Sequence, residues 1–334
     1  MLMKSQTADA TNDLEAVSAC PFCHDQNARA ECEDVEDFFF RADSGTFVFM
    51  RCTGCGSLWL NQRPVGARLL RAYSAYYTHA TPRPAIHRSG VRGLLRSSYV
   101  RARFAKSSSL LDRMIAAAAS ASNRDNSNID EQYRFAPKAP ASILDYGCGS
   151  GEYLLRMEPL GHRLQGIEYD PQLLDDLSRR GIGIEDVATC HDDRWRDEFD
   201  HITLAHVLEH VAAPHALLKR LFGWLKPGGT LFIEVPNADA SGLMIFGRYW
   251  RGLEAPRHFW LPNQKVMIKA LEDAGFKLQR QHINNTARQR VWGISLEAVA
   301  PEDRAAFEAA MAAAPPEDLQ NCEFLTFVAQ KPSS

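Results

Sequence analysis

No apolar run in these 334 residues approaches the roughly 20 needed to cross a bilayer, so a helical membrane span is not expected. The stretch Met1 to Ser18 is polar and lacks the apolar core of a leader, which predicts that it is not a signal peptide. Cysteine is sparse: eight residues cannot build a disulfide-dense secreted scaffold, and a reducing cytoplasm is the expected compartment. Basic excess is missing too. With 38 Lys and Arg against 41 Asp and Glu, the formal net charge is −3, which implies no global attraction to nucleic acid. What remains is the composition of an ordinary globular protein, long enough for about two domains.

The most informative stretch is Ile143-Leu-Asp-Tyr-Gly-Cys-Gly-Ser-Gly151. A short apolar run ends in an acid, turns through three glycines and enters a helix-like segment from Glu152 to Met157. Glycine lets backbone approach a bound molecule closely, because no Cβ intervenes. A helix N-terminus offers unpaired N–H groups to polar ligand atoms. Dinucleotide-binding loops have the spacing G-x-G-x-x-G. Here the spacing is G-x-G-x-G, with Glu152 next. The following apolar strand, Leu164 to Ile167, closes on Glu168, 23 residues after Asp145, where a carboxylate can accept both hydroxyls of a ribose. Pro171 opens a predicted helix with Leu173, Leu174 and Leu177 on one face, stopped at Gly181. A buried strand from Phe199 runs toward His206 and Glu209-His210. Leu217, Leu218, Leu221, Phe222 and Leu225 recur at helical spacing. Lys226-Pro-Gly-Gly229 then predicts a turn, and Thr230 to Val235 a strand. Phe276 to Ile283 and Glu323 to Ala329 read as two late strands, with an alanine-rich helix, Ala305 to Ala313, in the segment between them.

In order and spacing, Ala141 to Gly275 resembles the core of the class I S-adenosylmethionine (SAM) methyltransferases. The resemblance implies an α/β fold: a Rossmann-like, mostly parallel sheet flanked by helices, with a final antiparallel strand. It implies SAM as cofactor, held by Asp145, Gly147, Gly149, Gly151 and Glu168, with Asp145 beneath the loop and Asp186 or its neighbours near the adenine. The Asn/Asp-Pro-Pro-Tyr signature of many amino-group N-methyltransferases is absent after the fourth strand, which argues against DNA-base and glutamine methylation.

Four cysteines are spaced as metal ligands. Cys20-Pro-Phe-Cys23 and Cys52-Thr-Gly-Cys55 are C-x-x-C pairs 28 residues apart, and two such turns can make a tetrahedral four-thiolate zinc site. Four protein ligands leave no open position, so the zinc would be structural. A redox C-x-x-C or a metal-free site is the bland alternative, and His24 and Cys32 are nearby alternative ligands. The interval reads as a hairpin: an acidic run, Glu31 to Asp37, then β-rich Phe38-Phe-Phe40 and Phe47-Val-Phe49. A module of this kind also resembles the N-terminal part of bacterial methyltransferases among sugar and secondary-metabolite tailoring enzymes. The expected division is a zinc-ribbon-like module over 15–62, a helical arginine-rich linker over 63–135 and the methyltransferase domain over 136–334. From Arg83 to Arg113 the linker carries seven arginines and one lysine against one acid, with Arg88, Arg92 and Arg96 four apart. That face suits an anionic acceptor or a membrane surface, or is simply solvated.

Acceptor chemistry is expected outside the carboxyl ends of the strands. His206 is a candidate general base, given an ordinary pKa near 6.5. The ubiquinone-pathway O-methyltransferases that this core resembles carry Glu-x-x-Glu-His here and use it for a divalent cation. The present His206-Val-Leu-Glu209-His210 could do the same or could be plain packing. Glu254-Ala-Pro-Arg257-His258-Phe-Trp260 suits a substrate lid: Arg257 for a carboxylate or phosphate, His258 as a second candidate base, and Glu254 and Trp260 beside them. A structural loop is the alternative. The expected activity is methyl transfer to oxygen or carbon of a small acceptor, neutral or anionic, in a biosynthetic route: a sugar, a nucleotide sugar or a natural-product intermediate. The rival classes are a modifier of RNA or protein and a non-catalytic SAM-binding module.

Overall fold

A computed structural model describes residues 13–73, 91–105, 108–121, 133, 135–138, 140–170, 175, 177–179, 181–190 and 194–333. In chain order the strands are β1 (Leu14–Ala16), β2 (Ala28–Val35), β3 (Phe47–Cys52), β4 (Leu58–Leu60), β5 (Gln62–Pro64), β6 (Ser142–Tyr146), β7 (Arg163–Glu168), β8 (Gly183–Asp186), β9 (Phe199–Ala205), β10 (Leu225–Pro236), β11 (Trp260–Leu261), β12 (Lys277–His282) and β13 (Phe324–Gln330). The helices are α1 (Gly66–Tyr73), α2 (Val91–Phe104), α3 (Leu110–Ala121), α4 (Glu152–Met157), α5 (Pro214–Trp224), α6 (Ser241–Phe246), α7 (Gln264–Asp273), α8 (Ala287–Glu297) and α9 (Arg304–Ala312). No described helix is long and apolar enough to cross a membrane.

Seven strands form one sheet in the order β12-β13-β10-β9-β6-β7-β8. The pairs β6–β9, β6–β7 and β7–β8 are parallel, and β12–β13 is antiparallel. This is the Rossmann-like methyltransferase arrangement that the strand order in the sequence implies. Parallel strands covered on both faces need apolar side chains in both directions. Ile143 and Leu144 of β6 and Ile202 and Leu204 of β9 accordingly have no exposed surface. One expected feature differs. The Lys226-Pro-Gly-Gly229 turn is absorbed into the long β10, because Gly228 takes a left-handed φ of 80° and still donates its N–H to Lys331 O.

Two compact units make up the chain, one of residues 1–77, 204–222 and 233–330, the other of 78–203, 223–232 and 331–334. In the first, a four-stranded sheet runs β11-β4-β3-β2. The β2–β3 hairpin agrees with the expected one. Its first strand, however, carries Glu31, Glu33 and Asp34 of the acidic run, and Phe38–Phe40 forms a turn rather than a strand. Asp37 holds that turn, accepting the Phe40 and Ala42 N–H groups at 3.2 and 2.9 Å. The edge strand β11 comes from about 200 residues downstream: Trp260 pairs with Trp59 and Leu261 with Leu58. Part of the sheet of the cysteine-bearing segment is donated by the segment after His258.

The second unit holds two apolar clusters, one of Cys148, Leu154, Leu155, Leu177 and Ile182 and one of Val100, Tyr133, Ile143, Met157 and Leu160. Of the helix predicted from Pro171, residues 171–174 lie outside the described residues, and so does Arg88 of the basic stretch. Arg101 of that stretch is committed to Asp112 at 2.8 Å, so its charge is partly spent inside the protein. The segment between β12 and β13 holds α9, as expected, and α8, which the hydrophobic spacing does not predict. Only Ala287, Val291, Trp292 and Ser295 of α8 are buried, a stripe too broken by arginine and glutamine to announce a helix.

Candidate functional site

Within the second unit, β6 delivers Asp145 to the glycine turn. Gly147, Gly149 and Gly151 all take left-handed φ angles of 74°, 51° and 71°. A side chain at any of them would be strained. At Gly151 it would also collide, because a Cβ would lie 2.3 Å from Leu177 Cδ2. The turn is pinned to β7: Gly147 and Cys148 donate their N–H groups to Ile167 O at 2.8 and 3.1 Å. Glu168 ends β7, 5% exposed, and each of its oxygens takes one backbone donor. Oε2 accepts Gly149 N–H and Oε1 accepts Tyr169 N–H, both at 2.8 Å. A carboxylate oxygen has two lone pairs, so capacity for ligand hydroxyls remains.

Asp145 is nearly buried and accepts the Thr203 hydroxyl at 2.5 Å. Burial, helped by the charge of Glu168 and opposed by Thr203, pushes its carboxyl up to about 6. Thr203 is a site residue that the motif reading misses. It faces Asp145 only through the β6–β9 register, which no local pattern encodes. Asp186 pairs in register with Glu168, and its Oδ1 caps the following turn through Ala188 N–H at 2.7 Å.

The first unit holds two clusters. In one, Sγ of Cys20 lies 3.5 Å from that of Cys55, and Sγ of Cys23 lies 3.4 Å from that of Cys52. All four sulfurs fall within 4.8 Å of one another, and Cys55 N–H points at Cys52 Sγ at 3.4 Å. This is the convergence that a thiolate-ligated metal requires, and Cys32 and His24 are outside it.

The other cluster follows β9. His206 takes a left-handed φ of 54°, unusual for histidine. Its ring lies between two carboxylates, with Nε2 3.2 Å from Glu234 and Nδ1 3.5 Å from Glu209. Burial alone would lower its pKa; Glu209 and Glu234 outweigh burial and raise it to about 9. The two flanking carboxylates favour the charged imidazolium form of His206. His258 is the reverse. It is buried, its Nδ1 donates to Gly252 O at 2.8 Å, and burial holds its pKa well below the ordinary value.

The lid expected over 254–260 is instead packed interior. Arg257 has no exposed surface and is spent on Asp37 (Nη2–Oδ1 2.6 Å), on Ala72 O (2.9 Å) and on the face of Phe40. It cannot also pair with an acceptor. Glu254 is buried between Arg251 and Arg257, and Trp260 is buried with its Nε1–H on Val211 O at 2.8 Å. The sequence suggests substrate contacts at these positions because Arg, His and aromatics beside a proline look the same in a lid and in a buried lock.

A family model described as a methyltransferase domain matches residues 120–281. The ubiquinone biosynthesis O-methyltransferase of Xanthomonas oryzae pv. oryzae (strain PXO99A) is 26% identical over 180 residues, covering 46% of this chain and 74% of that protein. That of Xanthomonas campestris pv. campestris (strain B100) is 32% identical over 116 residues, 31% of this chain and 47% of that protein. Among solved structures, an S-adenosylmethionine dependent methyltransferase from Mesorhizobium loti aligns at 15% identity and a TM-score of 0.42, over 60% of this chain and 95% of that one. A Burkholderia thailandensis 1,6-didemethyltoxoflavin-N1-methyltransferase with bound S-adenosylhomocysteine aligns at 19% identity and a TM-score of 0.38, over 72% and 88% of the two chains. Residues 120–281 thus carry a methyltransferase-domain match, and the glycine turn closed by an acidic strand end and the sheet order agree with a class I SAM-dependent methyltransferase core.

Proposed function

We propose that this enzyme methylates an oxygen or carbon centre of a small-molecule acceptor, such as a sugar, a nucleotide sugar or a natural-product intermediate, and that a structural zinc ion sits on Cys20, Cys23, Cys52 and Cys55. The observation that carries the cofactor reading is the double anchoring of Glu168. Its carboxylate is held against the glycine turn by two backbone N–H groups, with lone pairs left for a ribose diol. The three left-handed glycines form a cradle that side chains would strain, which fits a nucleoside lying close to backbone. Bound SAM supplies a methyl group on a positively charged sulfur, open to in-line displacement. The residues of this chain do the rest. Glu168 orients the sugar of the cofactor, Asp145 faces its amino-acid end, and the glycine loop holds it in register, so that much of the rate comes from alignment. The soft sulfur donor set of the cysteines fits zinc.

Calorimetric titration with S-adenosylhomocysteine tests the cofactor site. Glu168→Ala is expected to weaken binding by about 100-fold, roughly the worth of two charge-assisted hydrogen bonds of about 1.5 kcal/mol each. Equal affinity in the variant would refute the assignment. Asp145 adds a pH dependence. A carboxyl raised from 3.8 to about 6 favours the folded state only while protonated, so that contribution is present below about 4 and lost as pH rises through 6. Binding the ammonium of the ligand requires the opposite form. Affinity should therefore fall by up to about tenfold per unit as pH drops below 6. Asp145→Asn should bind weakly with no such slope. Turnover against a panel of nucleotide sugars and phenolic acceptors would identify the acceptor, while methylation of RNA or protein alone would overturn the small-molecule reading.

A further inference from the structure

We propose that the helical pair α2–α3 is a docking surface for a membrane leaflet rich in anionic phospholipid, with arginines on the headgroup phosphates and the leucines and methionine of α3 seated at the acyl boundary. α3 is amphipathic in the reverse of the usual sense. A helix on the surface of a globular unit normally turns its apolar stripe inward and its charges outward. Here the side chain turned inward is Asp112, 6% exposed. Its carboxylate accepts Arg101 Nη2 of α2 and the Ser109 hydroxyl, both at 2.8 Å. Leu110, Leu111 and Met114 instead keep 75%, 64% and 62% of their surface exposed, and Ala117 and Ala118 are exposed as well. At 3.6 residues per turn these five share one face roughly 120° wide. Leu94 of α2, which packs against α3, adds another exposed leucine.

A contiguous exposed apolar stripe marks a surface that something covers. Charge decides what that is. Between Val91 and Ala121 the sequence holds Arg92, Arg96, Arg101, Arg103, Lys106 and Arg113 against Asp112 alone: six basic residues less one acid, a formal charge of +5. Arg113 is exposed and lies one position before Met114, at the edge of the stripe. A second copy of this chain docked on the same face would set that charge against itself, because a two-fold contact brings identical patches together. An RNA backbone would pair with the arginines and leave the leucines in water. An anionic bilayer satisfies both features. Basic side chains are drawn to its surface potential, and the apolar face of an amphipathic helix enters the headgroup and acyl boundary. The two helices would lie in the plane of the interface. They have 14 and 12 residues, and no described helix is long and apolar enough to cross a membrane. The inference is independent of the acceptor proposed above.

The test is co-sedimentation of the full-length protein with vesicles of phosphatidylcholine alone and of phosphatidylcholine mixed equally with phosphatidylglycerol. The wild type is expected to bind the mixed vesicles at least about tenfold more tightly than the neutral ones, and to lose most of that preference at high salt, which screens the attraction. Leu111→Asp and Met114→Asp put a charge into the stripe and should each weaken binding by about tenfold or more. Arg113→Glu should weaken it too and flatten the salt dependence. None of these residues belongs to the cofactor site, so affinity for S-adenosylhomocysteine should be unchanged in all three, which also shows that each variant is folded. Failure to sediment with the mixed vesicles, equal binding to both vesicle types, or wild-type binding in the folded variants would overturn the proposal. So would a wild-type dimer in light scattering that Leu111→Asp splits, which would assign the stripe to a second copy.

Discussion

Cys52→Ser is expected to strip the protein of one equivalent of zinc and to unfold the sheet β11-β4-β3-β2 at temperatures where the wild type is intact. Cys52 ends β3, and the same strand contributes Phe49, which with Leu58 and Leu60 is wholly buried. Loss of one ligand leaves three thiolates at a site that needs four. In isolated zinc fingers, metal binding supplies on the order of 10 kcal/mol of folding free energy. Even a fraction of that exceeds the roughly 0.5–3 kcal/mol of most single substitutions. Some of the loss will be offset, because β11 and Asn263 (whose amide donates to Cys55 O at 3.0 Å) hold the module from outside. Elemental analysis and hydrogen exchange over residues 20–60 measure the two effects. Cys32→Ser is the control, since Cys32 is buried but outside the cluster, and it should keep its metal. If Cys52→Ser holds a full equivalent of zinc, the four-cysteine site is wrong.

The second large effect is expected at Arg257. Neither Arg257 nor Asp37 has an exposed side chain, and the two meet through two contacts of 2.6 and 3.1 Å. Removing one partner leaves the other charge buried and unpaired, which typically costs about 3–5 kcal/mol. Arg257→Ala and Asp37→Ala should each lower the melting temperature by several degrees. Asp37→Leu with Arg257→Met should recover most of the loss, because an apolar pair of similar volume requires no desolvation of charge. Had Arg257 been an acceptor contact, its loss would raise KM and leave stability unchanged. Thermal melts of the two single variants and the double variant separate these outcomes.

The same pair shows where reading the sequence alone stops. Asp37 lies in an acidic run and Arg257 in a loop with proline and histidine, 220 residues apart. Each looks like a surface charge until folding removes both from water. Thr203 opposite Asp145 and the two-residue strand β11 are hidden for the same reason. A pairing register or a two-residue strand leaves no periodicity to detect.

Features confined to a short window are legible without the fold. The glycine turn, the acid that ends the next strand, the paired C-x-x-C spacing and the late strands depend on turn chemistry and alternation within a few residues. The sequence alone therefore determined the methyltransferase core and nominated the thiol ligands. Only the tertiary structure decided that the segment from Glu254 to Trp260 is interior rather than lid, and that His206 lies between two carboxylates. Burial and ionisation depend on what distant parts of the chain bring alongside a residue, and local sequence does not record that.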